Sequence, residues 1–340
     1  MGERRCEVVV VGGGVMGLTS ARRLQRAGYR VTVVAEDLAL ETTSARAAAI
    51  WLPFKAEPRQ RVGEWAHRTY RACRDLAREE AEAAGVRFVP LRRCSRQPLR
   101  EPFWLRPGMP FRHLEPGELP PGYLHGWEAE VPFVHARLFL TWLLDGFRAA
   151  GGEVIRRRVA GLAEAAEAAG LGPEGIVVHC AGLGARETVG DRSMFPIRGQ
   201  LVVVRPQRPL AHLVDDDEAA APAYVLPRGD GEVILGGTAQ AGDDREEADA
   251  AEREAILERC RSLLVPPGGG TGDPLERLHV VRSVVGLRPG RPEVRLETEL
   301  GAAAGRRVVH NYGHGGSGFT VCWGCADEVV ELVDGMVGES

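Results

Sequence analysis

Hydrophobic positions in this chain follow two rhythms. In Glu7–Val11 and Ile176–His179 apolar, mostly β-branched residues run together without interruption, and Val308-Val309 ends a further such strand. Continuous runs of this kind read as parallel strands buried on both faces. The first leads through Gly12-Gly13-Gly14-Val15-Met16-Gly17 into a helix predicted over Leu18–Ala27 and stopped by Gly28. A second strand, Arg30–Val34, ends at Glu36, and another is predicted over Glu153–Val159. Pro58–Ala84 has the pattern of one long helix closed by Gly85, and Ala136–Ala150 that of a second. Residues 87–135, rich in prolines and aromatics, read as short strands and loops. From Pro196 the rhythm turns to alternation, in Gly199–Arg205, Ala223–Leu226 and Gly231–Gly236. Asp244–Leu264 then reads as a helix, and strands Val280–Leu287 and Val294–Glu297 flank Arg288-Pro289-Gly290-Arg291-Pro292. A last helix is predicted from Thr320 into Leu332.

Composition narrows the class. The chain has 340 residues, 44% hydrophobic and 26% charged, enough for one large core or two joined domains. A net charge of −4 argues against a general nucleic-acid or anionic-membrane partner. Seven widely spaced cysteines without a secretory signal point to a reducing, cytoplasmic setting with buried thiols. No apolar run reaches the roughly 18 residues a membrane span needs.

The candidate chemistry begins at the first glycine loop. Glycines 12, 14 and 17 form G-x-G-x-x-G between a strand and a helix, and Glu36, nineteen residues after Gly17, suits a ribose-binding acid. The motif points to a dinucleotide but does not separate NAD from FAD. Thr42-Thr43-Ser44 and Arg46 could hold a pyrophosphate, or cap an alanine-rich helix, or both. The second loop, Asn311-Tyr312-Gly313-His314-Gly315-Gly316-Ser317-Gly318, opens the last helix with four glycines. A plain strand-to-helix turn needs one or two, so a cofactor loop with free backbone N–H groups is favoured. Arg288 and Arg291, braced by prolines, are candidates for a carboxylate grip, and Tyr224 for a supporting phenol. His310 and His314 are separated by glycine, which argues against a metal pair; Cys322 and Cys325 read as buried small residues.

The terminal stretch His310–Thr320 with Trp323-Gly324-Cys325-Ala326 closely resembles the signature of the D-amino-acid oxidase family. The resemblance extends through Trp51 with Pro53, Arg198-Gly199-Gln200, Tyr224 with Pro227, Gly236-Gly237-Thr238 and Leu287–Leu296. It implies FAD, a two-domain fold and oxidative deamination, with hydride passing from the substrate α-carbon to flavin N5 and oxygen reduced to hydrogen peroxide. By position, Arg288 would bind the substrate carboxylate, Tyr224 would support it, and the Gly316 carbonyl would accept from the amine. Around the cofactor, Gly12, Gly14 and Gly17 would meet the pyrophosphate, Glu36 the ribose and the Val159 backbone the adenine. Cys180, Ala181 and Gly182 would line the cofactor, and Gly315, Ser317, Gly318 and Thr320 would surround the flavin pyrimidine. The resemblance also counts Val15, Met16, Asp37, Thr42, Thr43, Ser44, Ala49, Ile50, Gly316 and Phe319 among the cofactor contacts, and no metal.

The expected fold class is α/β: a discontinuous Rossmann-type FAD-binding domain plus a substrate domain on a mostly antiparallel twisted β-sheet. The expected pieces are 1–56, 141–193 and 298–340 for the first, and 57–140 and 194–297 for the second, which would also carry any homodimer interface. The expected substrates are neutral, mostly apolar D-amino acids with molecular oxygen; D-aspartate or glycine oxidation is the alternative. Trp51 and Phe54 would supply an apolar wall, and Asp215-Asp216-Asp217-Glu218 would repel a second carboxylate if placed at the entrance. Lys55, the sole lysine, would attract one if it reached the pocket. Ala220 falls about where the vertebrate enzymes carry a lid tyrosine.

Overall fold

The structure, a computed structural model, describes residues 6–218, 221–270, 272–301 and 305–338. Ala220 lies outside these. In chain order come β1 (Glu7–Gly13), α1 (Val15–Arg26), β2 (Arg30–Leu38), α2 (Arg59–Glu79), α3 (Ala81–Ala84), β3 (Val86–Ser95), β4 (Phe111–His113) and β5 (His125–Val134). Next are α4 (Ala136–Ala149), β6 (Glu153–Arg156), α5 (Leu162–Ala168), β7 (Ile176–His179), α6 (Ala185–Thr188), β8 (Phe195–Pro206) and β9 (His212–Asp215). The chain closes with β10 (Ala223–Pro227), β11 (Val233–Gly236), β12 (Gln240–Ala241), α7 (Ala250–Leu264), β13 (Leu278–Gly290), β14 (Arg295–Gly301), β15 (Arg306–Tyr312) and α8 (Gly318–Gly338).

The fold is α/β with two compact units. The first comprises Met1–Val86, Val134–Phe195 and Arg288–Ser340. Its six-stranded sheet has the order β14-β15-β7-β1-β2-β6, parallel except where β14 meets β15. Val9, Val11, Val34, Val177 and Val308 form one core with Leu162, Ala165 and Ala166 of α5. Alternation turns Val8 and Val10 to the opposite face, the reason the run is apolar at every position. This is the Rossmann-type layer read from the sequence.

The unit boundaries differ from the expected pieces: 57–86, 134–140 and 288–297 pack with the first unit. The reason is α2, which lies along α8 and buries Val62, Trp65, Ala66, Thr69 and Tyr70. The Gly324 N–H donates to Thr69 Oγ1 (2.9 Å). A Cβ at Gly324 would come within 2.2 Å of the Trp65 carbonyl, so the close approach of the two helices requires glycine there.

The second unit, Arg87–Phe133 and Pro196–Leu287, is built on a nine-stranded sheet. Its order is β12-β8-β11-β10-β9-β3-β5-β4, with β13 on β8; β3 with β9 is parallel, whereas β4–β5, β8–β11, β8–β12, β9–β10 and β10–β11 are antiparallel. Helix α7 packs on β10 and β11 through Ile256, Cys260, Leu263 and Leu264. It begins at Ala250 rather than Asp244, because Arg198 holds the preceding segment extended. Fully buried, Arg198 donates from Nε to the Arg245 carbonyl (2.9 Å) and from Nη2 to that of Glu247 (2.8 Å). Asp249 then caps the helix by accepting from the Glu252 N–H (3.0 Å). Arg198-Gly199-Gln200 is thus a structural hub. Among other differences, α1 and α8 start earlier than predicted, β6 ends at Arg156, and β13 runs unbroken through Arg288.

Candidate active site

The two glycine loops belong to the first unit. At the first, Gly12 and Gly17 serve the protein's own backbone: a Cβ there would meet the Cys180 carbonyl at 2.4 Å and the Gly12 carbonyl at 1.9 Å, respectively. Gly14 differs. A Cβ there would find only Ser44 Oγ at 3.0 Å and Thr42 beyond 3.7 Å, so its surface opens toward hydroxyls rather than main chain. Ser44 Oγ accepts from the Val15 N–H (3.1 Å), and Thr42 Oγ1 donates to the Ala39 carbonyl (2.7 Å). Thr42–Ser44 sits on short 3₁₀ turns, Ala39–Glu41 and Thr43–Arg46, and no α-helix follows them. Val15 being taken, the N–H groups of Met16 and Gly17 remain at the positive end of α1.

The second loop is more committed than its glycines suggest. Gly315 N–H donates to the Pro289 carbonyl (2.9 Å), Gly316 N–H to Phe54 (3.0 Å) and Ser317 N–H to His314 (2.9 Å). Both hydroxyls are also engaged. Ser317 Oγ accepts from the Phe54 N–H (2.8 Å) and donates to the Phe54 carbonyl (3.0 Å). Thr320 Oγ1 does the same at Leu52, at 3.2 and 3.1 Å. The first-turn N–H groups of α8, on Gly318, Phe319 and Thr320, lie beyond these ties. Gly315 has φ +54°, and a Cβ on it would strike the Lys55 carbonyl at 1.8 Å. A Cβ on Gly316 would lie 2.6 Å from Phe54 Cδ1 and 3.4 Å from Arg288 Cδ. The loop therefore binds the residue after Arg288 and the residue beside it in one knot.

A family model described as FAD dependent oxidoreductase matches residues 7–332. The chain belongs to that family. It is 43% identical over 327 residues to a D-amino-acid oxidase of Rubrobacter xylanophilus, covering 95% of this chain and 94% of that protein. It is 36% identical over 343 residues to a D-aspartate oxidase of Homo sapiens, covering 97% and 95%. Among solved structures, a glycine oxidase from Geobacillus kaustophilus has the same fold, with a TM-score of 0.77 at 20% identity, covering 98% of this chain and 95% of that one.

FAD is the cofactor of this FAD dependent oxidoreductase, and the first loop fits it: Gly14 leaves room for a close backbone approach, beside two hydroxyls and two helix-end N–H groups. The remaining expected cofactor residues cluster in the same unit. Glu36 and Asp37 are exposed near the end of β2, with Arg158 Nε 3.8 Å from Glu36 Oε2. Val159 packs its side chain on the β-sheet core beside Leu162, and Ala49, with φ 53°, leads to Ile50. Cys180 donates its N–H to the Val11 carbonyl (2.8 Å), and Ala181 and Gly182 form the turn that follows.

The two arginines part company. Arg291 donates from Nε to Asp191 Oδ2 (3.0 Å) and from Nη1 to the Glu293 carbonyl (2.8 Å). Burial alone would raise the Asp191 carboxyl, but hydrogen bonds from Ser193, Arg291 and Tyr312 prevail and hold it well below the usual range. Arg291 is thereby a structural partner. Arg288 instead lies beside Gly316, its Cζ 5.8 Å from the Phe54 ring centroid.

Tyr224 belongs to the second unit. Its half-buried ring lies against Gly236 and Gly237, where a Cβ would meet Cζ at 1.9 Å and Oη at 2.7 Å. The Gly236-Gly237-Thr238 motif leaves the room that the phenol occupies.

Two other expectations change. Trp51 is no wall: it is buried, and Nε1–H donates to the Ala66 carbonyl (3.0 Å). The acidic stretch is neutralised within the second unit, Asp215 by Arg96 (2.6 Å) and Asp216 by Arg93, while Asp217 accepts from Ser95 Oγ (2.6 Å). His314, fully buried, is pushed down to about 3 and pairs with Cys325 Sγ (3.6 Å), while His310 is hydrogen-bonded in a chain with Glu299 (2.8 Å) and His179 (3.2 Å). No group of histidine, cysteine and acid residues among the described residues could hold a metal. What sequence reasoning missed is the tie from Ser317 and Thr320 to Leu52 and Phe54. Its signal was Leu52-Pro53-Phe54, a proline-held extended stretch with no neighbour in sequence to satisfy it.

Proposed function

We propose that this protein is a D-amino-acid oxidase that deaminates neutral, mostly apolar D-amino acids to 2-oxo acids, ammonia and hydrogen peroxide. What supports the reading is the adjacency, within one unit, of the Arg288 side chain and the Gly316 backbone. An α-amino acid carries its carboxylate and amine on one carbon, so its two anchors must be neighbours. The Arg288 fork takes the carboxylate in two parallel hydrogen bonds. The Gly316 carbonyl accepts from the amine, whose proton geometry it fixes. Tyr224 adds a phenol donor. Bound FAD supplies a two-electron acceptor that oxygen returns to its oxidised state. The protein's contribution is orientation: with two groups held, only one enantiomer presents its α-hydrogen, rather than its side chain, to the cofactor.

The Phe54 ring supports an apolar side-chain preference. The alternative, D-aspartate, draws on the human relative and on Lys55, which is exposed with Nζ 5.7 Å from the Phe54 ring centroid. Neutralisation of Asp215 and Asp216 removes one argument against it. No helix among the described residues is long and apolar enough to cross a membrane; a cytoplasmic enzyme, active alone or as a homodimer, completes the proposal. The test is peroxide release by the FAD-loaded protein with D-methionine, D-valine, D-aspartate, glycine and L-methionine. The expected order puts the neutral D-substrates first. Leadership by D-aspartate assigns Lys55 to the pocket; leadership by the L-isomer overturns the anchor geometry.

A further inference from the structure

A hydroxyl accepts and donates at once, and Ser317 spends both capacities on one residue. Its Oγ takes the Phe54 N–H at 2.8 Å and gives its own proton to the Phe54 carbonyl at 3.0 Å. The same carbonyl accepts the Gly316 N–H at 3.0 Å. Ser317 is fully buried, so no solvent is at hand to replace the hydroxyl. One helical turn on, Thr320 makes the equivalent clasp at Leu52, and Pro53 between has no N–H to offer. Two side chains three apart, one just before α8 and one in its first turn, thus act as the missing partner strand for an extended segment.

The consequence falls on the Phe54 ring. Its Cδ1 lies 2.6 Å from where a Gly316 Cβ would be, and its centroid is 5.8 Å from Arg288 Cζ. That separation is within cation–π range, on the order of 6 Å. We propose that Ser317 is a positioning residue for the reaction: by clasping the Phe54 backbone it keeps the ring against Arg288 and so restricts the guanidinium to the orientation that grips a substrate carboxylate. Without the clasp the segment drifts, the ring leaves Arg288, and substrate binding weakens. The inference deepens the oxidase reading and depends on it only for the identity of the substrate.

The test is a cycle of wild type, Ser317→Ala, Phe54→Ala and the double variant, each purified as holoenzyme. Amide hydrogen exchange without substrate reads the clasp; KM, kcat and flavin content read its consequence. Ser317→Ala is expected to speed exchange at Phe54 at least tenfold. It should raise KM for D-methionine roughly tenfold, about 1.4 kcal/mol of lost positioning, with rates referred to flavin content so that any change at the cofactor is read separately. In the Phe54→Ala background the same change should leave KM where it was, since the ring it positions is gone. Equal KM effects in both backgrounds overturn the proposal, as does unchanged exchange at Phe54, or loss of FAD with KM unaltered. Ser317→Cys, similar in size but a weak acceptor, replaces the alanine variant if that does not fold. Wild-type holoenzyme inert toward every D-amino acid would defeat the activity reading alone, because the exchange comparison is made without substrate.

Discussion

Arg291 commits two of its guanidinium nitrogens to Asp191 and the Glu293 carbonyl, while Arg288, three positions earlier, sits beside Phe54 and Gly316. Substitution should separate them. Arg288→Leu is expected to keep FAD and lose about two to four decades in kcat/KM, since removing one partner of a buried charge pair typically costs ~2–5 kcal/mol. Arg291→Leu should instead lower stability, leaving Asp191 short of a donor. Steady-state kinetics with flavin absorbance measure the first effect and thermal unfolding the second; an Arg288→Leu enzyme within a few-fold of wild type would remove the carboxylate assignment. At Gly14 the prediction concerns the cofactor. The space opposite its missing side chain leads to Ser44 and Thr42, not to main chain. Gly14→Val should fold and purify as apoprotein, and a normal flavin spectrum would contradict it.

Elements set the positions from which these side chains act. The β10–β11 pairing puts Tyr224 opposite Gly236, and that glycine leaves the volume the ring fills. On the role proposed for Tyr224, Gly236→Ala should displace the phenol and depress kcat/KM more than Tyr224→Phe, which removes only the hydroxyl. A smaller effect of Gly236→Ala than of Tyr224→Phe would show that the ring is not held by this contact. In the same unit Arg198 joins β8 to the start of α7 through Glu252, Gln240, Gln200 and two carbonyls. Arg198→Met takes the guanidinium from Glu252, a largely buried carboxylate that keeps Gln240, and from four further acceptors, and is expected to cost about 3–5 kcal/mol, read as a lowered denaturant midpoint.

For the whole molecule, buried imidazoles set the acid limit of stability. Burial pushes His179 and His314 down to about 3 and His212 to about 4, all from 6.5, and it lowers His310 as well. A base whose folded value is depressed binds fewer protons folded than unfolded, so its contribution is complete above the unfolded value and is lost as pH falls. Each such histidine should cost up to about 1.4 kcal/mol per pH unit below that point. Asp327, raised by burial, works in the opposite sense but is one group against four. The melting temperature should be flat near pH 7–8 and fall steadily from about pH 6.5 toward 4. A melting temperature that rises on acidification through that window would mean the imidazoles are charged in the folded protein.

The sequence by itself determined what contiguous residues encode. The unbroken β-branched runs made buried parallel strands, the first glycine loop made a strand–turn–helix, and the change to alternation at Pro196 marked a second sheet. Each is a local property, because side-chain period and glycine placement act over a few neighbouring residues. The tertiary structure decided which arginine serves the protein and which flanks the loop, that Trp51 is core, and that Arg93 and Arg96 neutralise Asp216 and Asp215. It also decided that α2 packs with the first unit, since a helical stripe records that a face is buried but not against what. The clasp on Phe54 spans 263 residues of chain. A serine has the same local pattern whether its hydroxyl meets a ligand, water or a distant backbone, and only the folded chain brings one of these within bonding distance.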